Sequence, residues 1–231
     1  GPASTLAIDP STAAMRTPSP TPTRTPAPTP TPLLPAPDGT QRTVRVPILM
    51  YHHVEVPPPG AGELRRSLTV TPASFEQQLL FLQREGYQGI TLHDLALHLT
   101  RGTPLPAKPI LLTFDDGYRD NYTHAFPLLQ RLGFPATFFL VTAPVDEGNP
   151  DFLSWDQVKE MHRAGMAFEP HSLNHPDMRG RSVEFLVYQI LASKGAIEER
   201  TGETCRFFAY PSGRYDQRTI DVLRSANFWG A

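Results

Sequence analysis

Cysteine is almost absent: Cys205 stands alone in 231 residues, which excludes an intramolecular disulfide framework and any multi-cysteine zinc site. Long apolar runs are missing as well, so no stretch reads as a membrane-spanning helix. Charge of one sign is equally scarce. With 21 Lys and Arg against 23 Asp and Glu, the formal net charge is −2, which excludes nucleic acid and acidic membrane surfaces as expected partners and points to a neutral one, met by a monomer. The chain also lacks an initiator methionine. Its first residues, "GPAS", read as the scar of a cleaved tag, which leaves a native signal or anchor upstream open.

Proline, in contrast, is abundant and uneven. Its 26 residues are densest in the first forty positions, as in "TPSPTPTRTPAPTPTPLLPAPDG". Such a segment has no apolar period and cannot bury enough surface to offset its ordering entropy. Residues 1–43 are therefore expected to be a disordered Pro/Thr-rich linker or stalk, and residues 44–231 the folded domain.

From Val44 onward short apolar runs alternate with amphipathic stretches. "VPILMYHHV", "YQGITL", "KPILLTF", "PATFFLVT", "MAFEP" and "CRFFAYP" read as strands by their β-branched and aromatic content. The stretches between them, such as "SWDQVKEMHRAG" and "SVEFLVYQILASKGAIEERTG", read as helices with Ser N-caps and Gly stops. A final "WGA" reads as the start of a seventh strand. Strict βα alternation predicts an α/β fold with a parallel sheet and right-handed crossovers. Polar residues follow four of the strands, and their convergence on one face favours a distorted (β/α) barrel of about seven strands with its site at the C-terminal rim.

Two of those strand ends carry chemistry. "TFDDG" places Asp115 and Asp116 side by side at the end of a buried strand, a costly arrangement unless a cation shares the site. "HSLNH" places His171 and His175 four residues apart, a spacing at which one helical turn would bring both imidazoles to one side of an ion. Eight histidines in the chain make this spacing weak evidence alone; its weight comes from the strand-end position and the aspartates. One carboxylate and two imidazoles leave coordination positions open, as in a catalytic metal site, and the other aspartate is then available as general base. His52 and His53 alternate across a strand, so one of them can face the rim while the other points away. His93, His98, His124 and His162 fall in helical segments and read as surface residues.

"TFDDG", "HSLNH" and "FAYPSG" resemble, in order and spacing, the first three motifs of the polysaccharide deacetylase (carbohydrate esterase, NodB-homology) family. "PILMYHHV" is similar to the first strand of its extracellular poly-N-acetylglucosamine deacetylases. The resemblance implies a distorted (β/α) barrel and one divalent metal ion, zinc first, with nickel, cobalt or manganese as alternatives. It makes Asp115 the general base, Asp116, His171 and His175 the metal ligands, and His52 the general acid. Tyr210, Pro211 and Ser212 would form a groove wall, with a backbone N–H at Ser212 for the oxyanion; Tyr118, Tyr215 and Trp155 read as groove residues that stack on sugar rings. Two departures stand out: Ala209 occupies the place of the family's base-steadying arginine, and no histidine follows His175. The expected protein is an extracytoplasmic N-deacetylase of a β-linked N-acetylglucosamine polymer. The rival readings are an O-acetyl esterase on xylan-type polysaccharide and a non-catalytic carbohydrate-binding relative.

Overall fold

The computed structural model describes residues 36–231. The expected linker therefore lies largely outside the described residues. Its last part, around Asp38 and Arg42, is tied to the domain: the Asp38 N–H donates to the Thr100 carbonyl at 3.0 Å, and Arg42 Nη1 donates to Asp38 Oδ1 at 2.9 Å.

Among the described residues, seven short strands and eight α-helices follow one another, largely in alternation. In order they are β1 (Ile48–Tyr51), β2 (His53–Val54), α1 (Glu63–Ser67), β3 (Thr69–Val70), α2 (Pro72–Arg84), β4 (Gln88–Gly89), α3 (Leu92–Arg101) and β5 (Pro109–Phe114). A π-helical turn at Asn121–Ala125 leads into α4 (Phe126–Leu132). Then follow β6 (Thr137–Leu140), α5 (Thr142–Asp146), α6 (Trp155–Arg163), β7 (Ala167–Pro170), α7 (Val183–Thr201), a 3₁₀ turn (Pro211–Gly213) and α8 (Gln217–Ser225). All pairing between these strands is parallel, in the order β1-β5-β6-β7, with β4 on the first residues of β5 and β2 paired with β3 in a separate ladder. Among the described residues no ladder joins β1 to β7, so the pairing forms an open sheet rather than a closed ring.

Expected and observed strands differ where backbone pairing is thin. "YQGITL" contributes two strand residues, and "CRFFAYP" forms no strand; it makes one parallel bridge, from Phe207 to Gly230 in the expected seventh strand. "VPILMYHHV" divides at His52, because its first half pairs with β5 and its second with β3.

The register of the sheet follows from an aromatic row. Tyr51, Phe114, Phe138 and Phe168 are successive cross-strand partners on β1, β5, β6 and β7. Their rings stack with centroids 5.2, 4.7 and 5.5 Å apart. Phe114 and Phe138 are fully buried, each removal from water contributing roughly 1.5–3 kcal/mol. A one-residue slip would turn the whole row to the other face, so the row pins the register. It also levels what comes next: His52 follows Tyr51, and Asp115 follows Phe114.

Candidate active site

The turn after β5 is built for two adjacent carboxylates. The Asp115 N–H still donates to the Tyr51 carbonyl at 2.9 Å, extending the ladder by one residue. Asp116 (φ 71°) and Gly117 (φ 81°) then both take left-handed backbone and reverse the chain. Asp is one of the few side chains that enter this region readily. Gly117 has no alternative, since a Cβ there would lie 2.6 Å from Leu140 Cδ2. Both residues end 8 % exposed.

His171 and His175 arrive by a different route from the one their spacing suggests. Residues 171–175 form no helical turn; instead Ser172 (φ 69°) and His175 (φ 56°) take left-handed backbone, and Ser172 Oγ accepts the His175 N–H at 3.0 Å. The outcome is the expected convergence. Nε2 of His171 and Nε2 of His175 each lie 3.6 Å from Asp116 Oδ1. Donor atoms held about 2.0–2.1 Å from one tetrahedral ion stand roughly 3.4 Å apart, so this trio fits a divalent metal. His171 is buried, and its Nδ1 donates to the Ala209 carbonyl at 2.8 Å. That bond fixes the tautomer and leaves Nε2 as a lone-pair donor. Burial pushes the His171 imidazole down to about 4, against the opposing pull of the Ala209 bond and Asp116.

A second trio, His53, Glu55 and Asp120, also brings its ligand atoms within 4.8 Å of one another. It is already satisfied: His53 Nδ1 is hydrogen-bonded to Asp120 Oδ2 at 2.7 Å, and Arg65 holds Glu55 through Nε and Nη2 at 3.0 and 2.8 Å.

Beside the first trio, Asp115 is the carboxylate left over. Burial, and then the charge of Asp116, push it up to about 7. Its Oδ2 lies 4.0 Å from His52 Nε2. Burial lowers the His52 pKa, with His53 and His175 acting in the same direction and Asp116 opposing. His53 faces away, stacked on Tyr118 with centroids 3.6 Å apart.

Tyr210 and Tyr215 stack at 4.1 Å, flanking the 3₁₀ turn that holds Pro211 and Ser212, and Tyr215 is exposed. Ser212 is left-handed (φ 53°), and its N–H belongs to the first turn, where such groups have no partner within the helix. Trp155 is placed otherwise: its indole donates to Asp146 at 2.9 Å and Arg200 covers its ring at 5.5 Å, so local packing accounts for it. Tyr118, expected to stack on a sugar ring, has its ring stacked on His53, while Asp120 and Asn121, legible only as the polar tail of "TFDDGYRDNY", bond to residues 52–54.

Fold and site together define an α/β domain with a candidate metal centre at the C-terminal ends of parallel strands. Residues 102–230 match the family model described as polysaccharide deacetylase. The chain belongs to the polysaccharide deacetylase family. It is 31% identical over 189 residues to the polysaccharide deacetylase homologue YxkH of Bacillus subtilis (strain 168), covering 82% of this chain and 64% of that one. It is 32% identical over 129 residues to the poly-beta-1,6-N-acetyl-D-glucosamine N-deacetylase of Escherichia coli (strain K12), covering 50% of this chain and 19% of that one. The chain thus spans less than two thirds of either relative. Among solved structures, the Streptococcus pyogenes deacetylase PplD in complex with acetate superposes with a TM-score of 0.74 at 31% identity, covering 80% of this chain and 81% of that one.

Proposed function

We propose that residues 44–231 form a metal-dependent N-deacetylase acting outside the cytoplasm on a β-linked N-acetylglucosamine polymer, with residues 1–43 as its spacer. The observation that carries this reading is the Asp116, His171 and His175 donor trio, each histidine Nε2 3.6 Å from Asp116 Oδ1, with a spare carboxylate, Asp115, beside it. The polymer class rests on the N-deacetylase name of the Escherichia coli relative. Among the described residues no helix is long and apolar enough to cross a membrane. The distorted barrel belongs to the same reading.

Asp116, His171 and His175 would hold the ion, zinc by their two nitrogens and one oxygen. When bound, the ion supplies Lewis-acid chemistry: carbonyl polarisation and easier ionisation of water. Asp115 takes the proton of the attacking water, which requires its ionised form. His52 gives a proton to the departing nitrogen. The Ser212 N–H is offered to the oxygen that gains charge at the acetyl carbon. Tyr210, Pro211 and Tyr215 form the wall on which a sugar ring stacks.

The lowered pKa of His52 favours one alternative, an O-acetyl esterase, because an alkoxide leaves with less protonation than an amine. Acetate release from N-acetylglucosamine oligomers and from acetylated xylan, each with chelator and after metal restoration, separates the two. The reading predicts chelator-sensitive release from the amide substrate. Release from xylan alone transfers the site to the ester, and no release from either makes the domain a binding relative.

A further inference from the structure

His52 occupies an unusual place in the backbone. β1 ends at Tyr51 on the β5 ladder, and β2 begins at His53 on the separate β3 ladder. His52 is the single residue between them, so its direction depends on how both ends are held. The first end is fixed by the Tyr51 carbonyl, which accepts the Asp115 N–H at 2.9 Å.

The second end is gripped from the loop that follows "TFDDG". Asp120 Oδ1 accepts the Val54 N–H at 2.8 Å, and Asp120 Oδ2 takes His53 Nδ1 at 2.7 Å. Asn121, at the start of the π-helical turn, donates its amide Nδ2 to the His52 carbonyl at 2.7 Å and to Asp120 Oδ1 at 3.0 Å. Asn121 is fully buried and its Oδ1 has no partner, so the amide is engaged through its N–H₂ group alone. Two neighbouring side chains thus hold the backbone at His52 and at Val54, and the His53 imidazole between them, by three hydrogen bonds, and a fourth ties the two side chains to each other. Strand pairing does not require this, since β2 already pairs with β3.

We propose that Asp120 and Asn121 are positioning residues for the reaction, fixing through the His52–Val54 backbone the approach of the His52 imidazole to Asp115. The inference rests on the reading of His52 as the general acid. A misplacement of about 1 Å at a reacting group can cost on the order of 10²-fold in rate. Loosening the clamp should therefore act on turnover rather than on substrate affinity or ion binding.

The experiment uses the whole chain with its metal restored, an N-acetylglucosamine oligomer as the amide and 4-nitrophenyl acetate as an activated ester that needs no acid. Asp120→Asn should lower kcat on the amide by roughly 10- to 100-fold, with KM and metal content near native and the ester rate within a few-fold. Combined with His52→Ala, it should add little further loss, because both changes remove one function. Asn121→Ala should show the same pattern and decides the matter if Asp120→Asn does not fold. If His52→Ala is amide-selective but the clamp variants change nothing, reduce amide and ester rates alike, or multiply the His52→Ala loss, the positioning role is overturned and the acid stands. If His52→Ala itself lacks an amide-selective loss, the acid assignment fails and the clamp proposal with it.

Discussion

His171 Nδ1 donates to the Ala209 carbonyl at 2.8 Å, so the "FAYP" segment orients a candidate metal ligand through its backbone. Ala209 stands where the family resemblance led us to expect an arginine. Its backbone contribution is independent of the side chain: Ala209 also donates its N–H to the Pro170 carbonyl at 3.2 Å, locking the segment against the end of β7. The missing arginine therefore leaves the orientation of His171 intact.

The two aspartates should separate by what they lose. Asp116→Asn and His175→Ala should each lower metal content together with acetate release, because each removes a donor from the trio. Asp115→Asn should keep the ion and lose roughly 10²- to 10⁴-fold in turnover, since an amide cannot take the proton. Elemental analysis beside acetate release checks both. An Asp115→Asn protein without metal would reverse the assignment.

Asp115 also sets an expectation for pH. As the proposed base it would work only when ionised, so kcat/KM should rise with pH through its pKa, and fall again where His52, the proposed acid, loses its proton. Burial and Asp116 place that pKa at about 7. A bound cation favours the charged form, so the limb in the loaded enzyme should lie below 7. A pH–rate profile of the metal-loaded protein tests this, and a limb centred above pH 8 would assign it to another group.

These site residues could be read from the sequence because strand ends are marked by composition: "PILLTF" is six residues long and buried throughout, and the change to "DDG" is abrupt. The route taken by "HSLNH" was hidden, because two left-handed residues replace a helical turn and only the backbone reveals it. The clamp was hidden for another reason. Asp120 and Asn121 act on residues 52–54, and a separation of about 67 positions leaves no local pattern. Strands with few partners were overestimated, since "CRFFAYP" has the composition of a strand but one bridging partner in Gly230.

The aromatic row predicts coupling between stability and site geometry. Phe138 is fully buried, and its ring lies between those of Phe114 and Phe168. Phe138→Ala should cost about 3–5 kcal/mol, with a lower denaturant midpoint. Because Phe114 leads directly into Asp115, the surviving folded protein should also turn over more slowly. Phe138→Leu should recover most of both. A stability loss below about 1 kcal/mol for the alanine variant would show that the row relaxes around the cavity.

Tyr215 tests the groove wall. It is exposed and stacked on Tyr210 at 4.1 Å, so it can offer a ring face without reorganisation. Base-free stacking of this kind is binding that exists before and during reaction. Tyr215→Ala should therefore raise KM for oligomers several-fold with kcat little changed. The ester probe, which carries no sugar, should not respond. An equal loss on both probes would mean that Tyr215 supports the site rather than the substrate.

Glu169 gives a pH dependence of stability that is separate from catalysis. Its Oε2 accepts the N–H groups of Arg206 and Phe207 at 2.9 and 3.1 Å, inside a site only 8 % exposed. Burial pushes its carboxyl up to about 8, against the pull of those two bonds and of Lys194. The unfolded carboxyl titrates near 4.3. Between these values the folded state keeps a proton that the unfolded state has released, so its stabilising effect is complete below the unfolded pKa and is lost as pH rises through about 8. Glu169→Gln cannot ionise and keeps an oxygen for the two N–H groups. Urea midpoints of both proteins, measured with chelator so that metal binding does not contribute, should nearly coincide at pH 4 and diverge in favour of the variant up to pH 9. A gap that stays constant across this range would show that Glu169 is ionised in the folded state throughout.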